Sequence, residues 1–291
     1  MKILVIGKTG QVGSRLSRLL PAIGETIATG RETIDLAKPD SIRNAIREIR
    51  PDVIVNAAGY TNVDRAESEK ALVHAVNATA PGVMAEEAKR LGALLVHYSS
   101  VYVFDGTKAG AYTEIDTPRP LNEYGVSKLH GEEAVASVGC PHLILRASWV
   151  HDTRARNFVL TMLRLAAERD HLEVVDDQTG SPTWARSIGE ATCGLLRDVD
   201  RAKAAAGVYN LAALGAVSRY DFTVRIMEGS RRLRPGRALP VLKPIKTRDF
   251  PLVATRPLNS VLSCAKWTET FGVALKPWQE QLDGCLADLG G

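Results

Sequence analysis

Apolar residues recur in two rhythms along the first half of the chain. Short unbroken runs such as Ile3-Leu4-Val5-Ile6 and Val53-Ile54-Val55 alternate with longer stretches in which apolar residues return at helical spacing. The first rhythm predicts strands buried on both faces, and the second predicts helices that cover them. Strands are expected over 2–6, 26–29, 53–56, 94–97 and 143–146, and helices over 11–20, 41–50, 71–90 and 123–138. Asp40 or Ser41 is the expected N-cap of the second helix, and Gly92 the stop of the third. After Trp149 the alternation loosens, with one more helix and strand over 187–197 and 208–211. The expected fold class is α/β: a Rossmann-like doubly wound parallel sheet in residues 1–150, with 185–212 returning to it, and a smaller C-terminal substrate-binding lobe in most of 151–291.

Composition narrows the class without naming an activity. The chain has 291 residues, 45% of them hydrophobic and 24% charged, which is enough for a sizeable core and excludes disorder. No stretch has the length of a membrane-spanning helix, and Lys2 leads straight into the first strand, so the expectation is a cytoplasmic protein without a targeting segment. Cys140, Cys193, Cys264 and Cys285 are widely spaced and predict neither a disulfide framework nor structural zinc. A net charge of +4 is too small to argue for nucleic acid. The charge is locally uneven, however: residues 219–256 hold ten basic side chains against three acidic ones. Most of that run reads as a solvated face.

Three glycines in Gly7-Lys8-Thr9-Gly10-Gln11-Val12-Gly13 fall between a strand and a helix. A tight turn at Gly7, close backbone approach at Gly10 and close helix–strand packing at Gly13 suit a pyrophosphate on the helix N-terminus. A triphosphate P-loop is excluded, because Lys2 stands where its first glycine belongs. The second strand ends in Thr29-Gly30-Arg31 with no carboxylate there to bind ribose hydroxyls, and a guanidinium at Arg31 can hold a 2′-phosphate bidentately. The cofactor read from these residues is NADPH in preference to NADH. Small residues in Asn56-Ala57-Ala58-Gly59 let a cofactor lie against the backbone, and Ser99 and Ser100 end the fourth strand at the edge where ligands bind. Tyr124 and Lys128, at i and i+4, share a helix face. A ketone reduced by hydride needs a proton, and a phenol donates one near neutral pH only with positive charge nearby. Lys128 supplies that charge, and Ser100 hydrogen-bonds the carbonyl.

Taken in order, these segments resemble the extended short-chain dehydrogenase/reductase family, and within it the dTDP-4-dehydrorhamnose reductases. The likeness runs through residues 2–13, 50–58, His97-Tyr98-Ser99-Ser100, Tyr102-Val103-Phe104-Asp105-Gly106, Ser148-Trp149-Val150, Asp177-Gln178 and Arg256-Pro257. It implies an NADPH-dependent enzyme that reduces the C4 ketone of dTDP-4-dehydrorhamnose to give dTDP-L-rhamnose. Gly7, Gly10, Gln11 and Val12 would then cradle the pyrophosphate, with Asp35 and Leu36 at the adenine, Gly59, Tyr60 and Thr61 at the nicotinamide side, and Tyr98 beside the cofactor. Tyr124 would be the proton donor, Lys128 would bind the nicotinamide ribose, Trp149 resembles the sugar-pocket tryptophan, and Arg256 resembles a contact for the substrate diphosphate. Val101 replaces a carboxylate that relatives use toward the sugar, which leaves open another nucleotide-linked hexulose or the C4 epimer. A regulatory subunit resembling the methionine adenosyltransferase β protein is a reading of another class, against which Ser100, Tyr124 and Lys128 speak. Some members dimerise through magnesium-binding glutamates; Arg15 and Arg186 stand at those positions here, implying no metal and a monomer or weak homodimer.

Overall fold

The computed structural model describes residues 1–233, 236 and 239–290. Arg234 and Arg237, counted in the basic run, lie outside the described residues. A central sheet of parallel strands is built from β1 (Lys2–Ile6), β2 (Glu25–Thr29), β3 (Val53–Asn56), β4 (Leu94–Ser100), β5 (His142–Ala147) and the strand Gly207–Asn210. Across the sheet the order is Gly207–Asn210, β5, β4, β3, β1, β2. The chain therefore moves outward in opposite directions on the two sides of β1, and the crevice at that reversal is where such sheets bind ligands. Side chains alternate between two cores, as the strand period requires. Ile3, Val5, Val53, Val55, Leu94 and Val96 face one layer, and Leu4, Ile6, Ile54 and Leu95 face the other.

Helices cover both faces: α1 (Gln11–Leu19), α2 (Pro39–Ile49), the short α3 (Val63–Ala66) and α4 (Lys70–His74), α5 (Ala80–Leu91) and α6 (Glu123–Val138). Helix α2 starts earlier than expected. Lys38 is its N-cap and Pro39 its first residue, a position that proline suits, while the Ser41 hydroxyl instead accepts from the Asp35 N–H at 3.0 Å. Gly92 ends α5 in the left-handed conformation, as its type allows. The single helix expected over 71–90 is interrupted by a π-helical turn, Ala75–Thr79. Beyond β5, the helices Phe158–Glu168, Arg219–Leu233 and Trp278–Gly290 share a separate core around Val159, Phe222, Ile226, Trp278 and Leu282. Among the described residues no helix is long and apolar enough to cross a membrane.

Candidate active site

At the carboxyl end of β1, Gly7 turns the chain with φ +99, a conformation that glycine adopts without strain. Its N–H and that of Lys8 donate to the Thr29 carbonyl at 2.9 and 3.0 Å, docking the loop onto the end of β2. A Cβ on Gly7 would lie 2.8 Å from the Ala58 nitrogen, and one on Gly13 only 2.0 Å from the Gly7 carbonyl oxygen. Gly10 caps α1 without a side-chain bond, so the first amides of that helix stay open to an anion. Nearby, Gln11 Oε1 and Ser99 Oγ are buried without a hydrogen-bond partner on the wall of the same cavity. Orphaned buried oxygens beside a glycine cradle fit a dinucleotide that would satisfy them.

The cavity, about 710 Å³, runs along the carboxyl ends of β1, β3, β4 and β5. Gly7, Gly10, Gln11, Val12, Arg31 and Leu36 line one end, and Ala57, Ala58, Gly59, Tyr60, Thr61 and Tyr98 its middle. Ser100, Val101, Tyr124, Lys128 and Trp149 lie at the other end. Three expected residues are not on the wall. Gly13 serves the packing of α1 on the glycine turn, as its 2.0 Å clearance shows. Asp35 turns its carboxylate to the Ala37 N–H at 3.1 Å and to Lys38. Arg256 donates from Nη2 to Asp64 at 2.8 Å and from Nη1 to the Ala254 carbonyl, so its fork is already occupied. Among the described residues the charged side chains on the wall are Arg31, Lys128, Arg156 and Arg219, with no carboxylate.

Tyr124 is placed by the start of α6. The Asn122 side chain caps the helix by accepting from the Gly125 N–H at 2.8 Å and donates to the Thr255 carbonyl at 2.7 Å. A Cβ on Gly125 would come 2.2 Å from the Tyr102 carbonyl oxygen, so only glycine lets α6 approach the turn after β4. Tyr124 shares the cavity wall with Ser100, whose Oγ accepts from the Tyr102 N–H at 3.2 Å, and meets the Tyr102 ring edge-on at 5.7 Å. Burial pushes its phenol above the ordinary value, while the Ser100 hydroxyl opposes that shift. Lys128 is buried too, and its Nζ donates to the Tyr98 carbonyl at 2.7 Å and lies 3.4 Å from His97 Nε2. Burial lowers its pKa to about 8, with Glu132 opposing. The shared helix face thus brings Tyr124 and Lys128 to one wall. The ammonium is aimed at the end of β4, and the phenol is tuned by burial and Ser100.

On the far side, Trp149 adopts φ +42 and is clamped between two neighbours. A Cβ on Gly180 would meet its ring at 2.4 Å, and the Arg219 guanidinium lies 4.1 Å above the ring centroid and 4.9 Å from that of Phe158. Arg219 Nε donates to Gln178 Oε1 at 3.1 Å. Arg219 therefore does not belong to a solvated face: aromatic packing and Gln178 hold it on the cavity wall. Arg156 reaches the wall from a loop tied by Asn157, whose Nδ2 donates to the carbonyls of Asp152 (2.7 Å) and Ala155 (3.2 Å). Asn77 was also invisible in the sequence. From the π-helical turn it clasps Tyr60 through N–H and carbonyl at 2.8 and 3.0 Å and donates to Ser127, a placement with no local signal.

Comparison with known proteins agrees along the whole chain. Residues 1–290 match the family described as the RmlD substrate binding domain. The chain is 44% identical to dTDP-4-dehydrorhamnose reductase of Burkholderia thailandensis, over 99% of each protein. It superposes on the crystal structure of dTDP-4-dehydrorhamnose reductase from Clostridium acetobutylicum with a TM-score of 0.93 and 32% identity, covering 100% of both chains. On the Bacillus anthracis dTDP-4-dehydrorhamnose reductase in complex with NADP, the TM-score is 0.90 at 29% identity, over 99% of each. Agreement of this extent leaves no segment unaccounted for: the chain belongs to the dTDP-4-dehydrorhamnose reductase family.

Proposed function

We infer that this chain reduces the C4 ketone of dTDP-4-dehydrorhamnose to the alcohol of dTDP-L-rhamnose with NADPH. The observation that carries the reading is that Ser100, Tyr124 and Lys128, the last one turn along α6, share the wall of a cavity whose charged side chains among the described residues are all cationic. Both ligands of such a reaction are anionic nucleotides, and cations at both ends of the cavity suit them. Arg31 faces the cofactor end, where the nearby Glu32 carboxylate is taken up by Lys8 at 2.6 Å, so a 2′-phosphate meets no free acid. The glycine cradle, Gln11 and Ser99 would hold the dinucleotide, which supplies the hydride when bound.

This chain's own residues handle the proton. A phenol whose pKa is raised by burial stays protonated at neutral pH, as a donor must. Tyr124 gives that proton to the oxygen as the ketone becomes an alkoxide. The Ser100 hydroxyl polarises the same oxygen and then stabilises the phenolate left behind. At the substrate end, Arg219 takes the diphosphate role expected of Arg256, because Arg219 faces the cavity without a carboxylate partner while Arg256 is paired with Asp64. Trp149, clamped by Gly180 and Arg219, offers its edge to the sugar, and Val101 presents an apolar surface there.

Residues 1–150 with 185–212, whose Ile188, Leu195 and Ala202 share the core of the sheet, form the cofactor unit, and most of 151–291 forms the sugar-nucleotide lobe. Arg15 and Arg186 both pair with Asp288 within the chain, at 3.0 and 3.6 Å, which supports a monomer or weak homodimer with no bridging metal. Its substrates place it in the cytoplasm. Incubation with NADPH and enzymatically prepared dTDP-4-dehydrorhamnose should consume NADPH absorbance, and NMR of the product should show the rhamno configuration at C4. Absence of turnover would sink the reading, and the opposite configuration would assign the chain to the epimer.

A further inference from the structure

Behind Lys128 lies a buried polar row whose hydrogen-bond directions are determined. Asn56 on β3 and His97 on β4 are register partners in adjacent parallel strands, and both are buried. The Ala58 N–H donates to Asn56 Oδ1 at 3.2 Å, which orients the amide and turns Nδ2 toward His97 Nδ1 at 3.0 Å. Nδ1 therefore accepts and carries no proton. Burial, with Lys128 adding to it, holds the ring neutral by pushing its pKa well below the ordinary value. A neutral imidazole has one ring proton, which then sits on Nε2, 3.4 Å from Lys128 Nζ. An N–H facing an ammonium sets two donors head to head, whereas the same N–H facing an amine bonds its lone pair. The charged and titratable groups that bear on Lys128 among the described residues are His97 on β4, Tyr124 and Glu132 on α6 itself, and Arg146 on β5, which holds Glu132 at 2.6 Å. Tyr102 reaches only the phenol, edge-on.

We propose that His97 is a positioning residue: through its Nε2–H it favours the amine form of Lys128 and so sets the alkaline limit of the reaction. The inference rests on Lys128 belonging to the active site described above. Loss of the ammonium removes the cation that supports negative charge at Tyr124, so turnover falls once Lys128 gives its proton to water.

The test reverses the tautomer. In Asn56→Asp the new carboxylate accepts from the Ala58 N–H and from an Nδ1–H of His97, which bares Nε2 as an acceptor for the ammonium. The alkaline limb of kcat/KM should then move up by about one pH unit, a tenfold change in proton affinity. His97→Phe removes the Nε2–H without adding charge, and its limb should also move up; if it stays where the unaltered protein's lies, the N–H does not hold Lys128 toward the amine and the proposal falls. Nitrogen-15 NMR of histidine-labelled protein without substrate reads the tautomer even if a variant does not fold or the substrate assignment is wrong. An Nε2–H signal is expected in the unaltered protein, and an Nδ1–H signal overturns the proposal.

Discussion

The proposed donor role of Tyr124 suits surroundings that are poor at holding charge. Burial raises the pKa of the phenol, and the nearby Ser100 hydroxyl opposes that shift. Replacing Tyr124 with Phe should lower kcat by about 10²–10⁴, the usual worth of a positioned acid, while fluorescence titration shows NADPH binding little changed. Near-normal kcat would take the donor role from Tyr124. The arginines separate by a second residue-scale criterion. Arg219→Gln should weaken dTDP binding by about ten- to a hundredfold in calorimetry, since a desolvated cation facing a diphosphate makes charge-assisted bonds. Arg256→Gln, removing a side chain already engaged by Asp64, should do less. The reverse order would restore Arg256 to the substrate. Nothing in the spacing of the basic run distinguishes the two, because what selects Arg219 is the pair of aromatic rings that hold it.

Elements defined by short-range chemistry were the most legible. The glycine turn, the strands of the parallel sheet and α6 follow from apolar runs, glycine spacing and helical periodicity, all local in the chain. Interruption of the third predicted helix at Ala75–Thr79 has one local cause, Pro81, which has no N–H for the carbonyl of residue 77; what only packing decided is that Asn77 on that turn bonds Tyr60 and Ser127. The closeness of α1 to the glycine turn yields a prediction at this scale. Gly13→Ala would place a methyl 2.0 Å from the Gly7 carbonyl oxygen, so helix and turn must part. Stability should fall by about 1–3 kcal/mol in urea unfolding, the range for overpacking, and NADPH should bind more weakly because the helix amides move from the pyrophosphate. Unchanged cofactor affinity would show that the turn's geometry does not depend on Gly13.

Across the whole molecule, contacts between the sheet unit and the C-terminal lobe hold the cavity's two walls together. Arg15 on α1 grips the buried Asp152 with Nε and Nη2 at 3.0 and 2.6 Å, and Asp152 also accepts from Trp184 Nε1 at 2.9 Å. Beside this network His151 is buried with both ring nitrogens unpaired, and burial lowers its pKa from 6.5 to about 4. The sign follows from proton uptake: between those values the unfolded chain binds a proton that the folded one refuses, so stability falls as pH drops from 6.5 toward 4. The full loss is about 3 kcal/mol. Urea midpoints at neutral and mildly acidic pH should show His151→Leu losing less on acidification than the unaltered protein; equal losses would clear His151. The sequence by itself determined the sheet, the cofactor turn, the pairing of Tyr124 with Lys128 on one helix face and the family, because each is written in local periodicity, spacing or motif order. Only the tertiary structure decided which arginine faces the cavity, what Lys128 is aimed at and where Asn77 sits. Those depend on contacts such as Trp149 with Arg219, Asp64 with Arg256 and Asn56 with His97, between residues far apart in the chain that nothing but packing brings together.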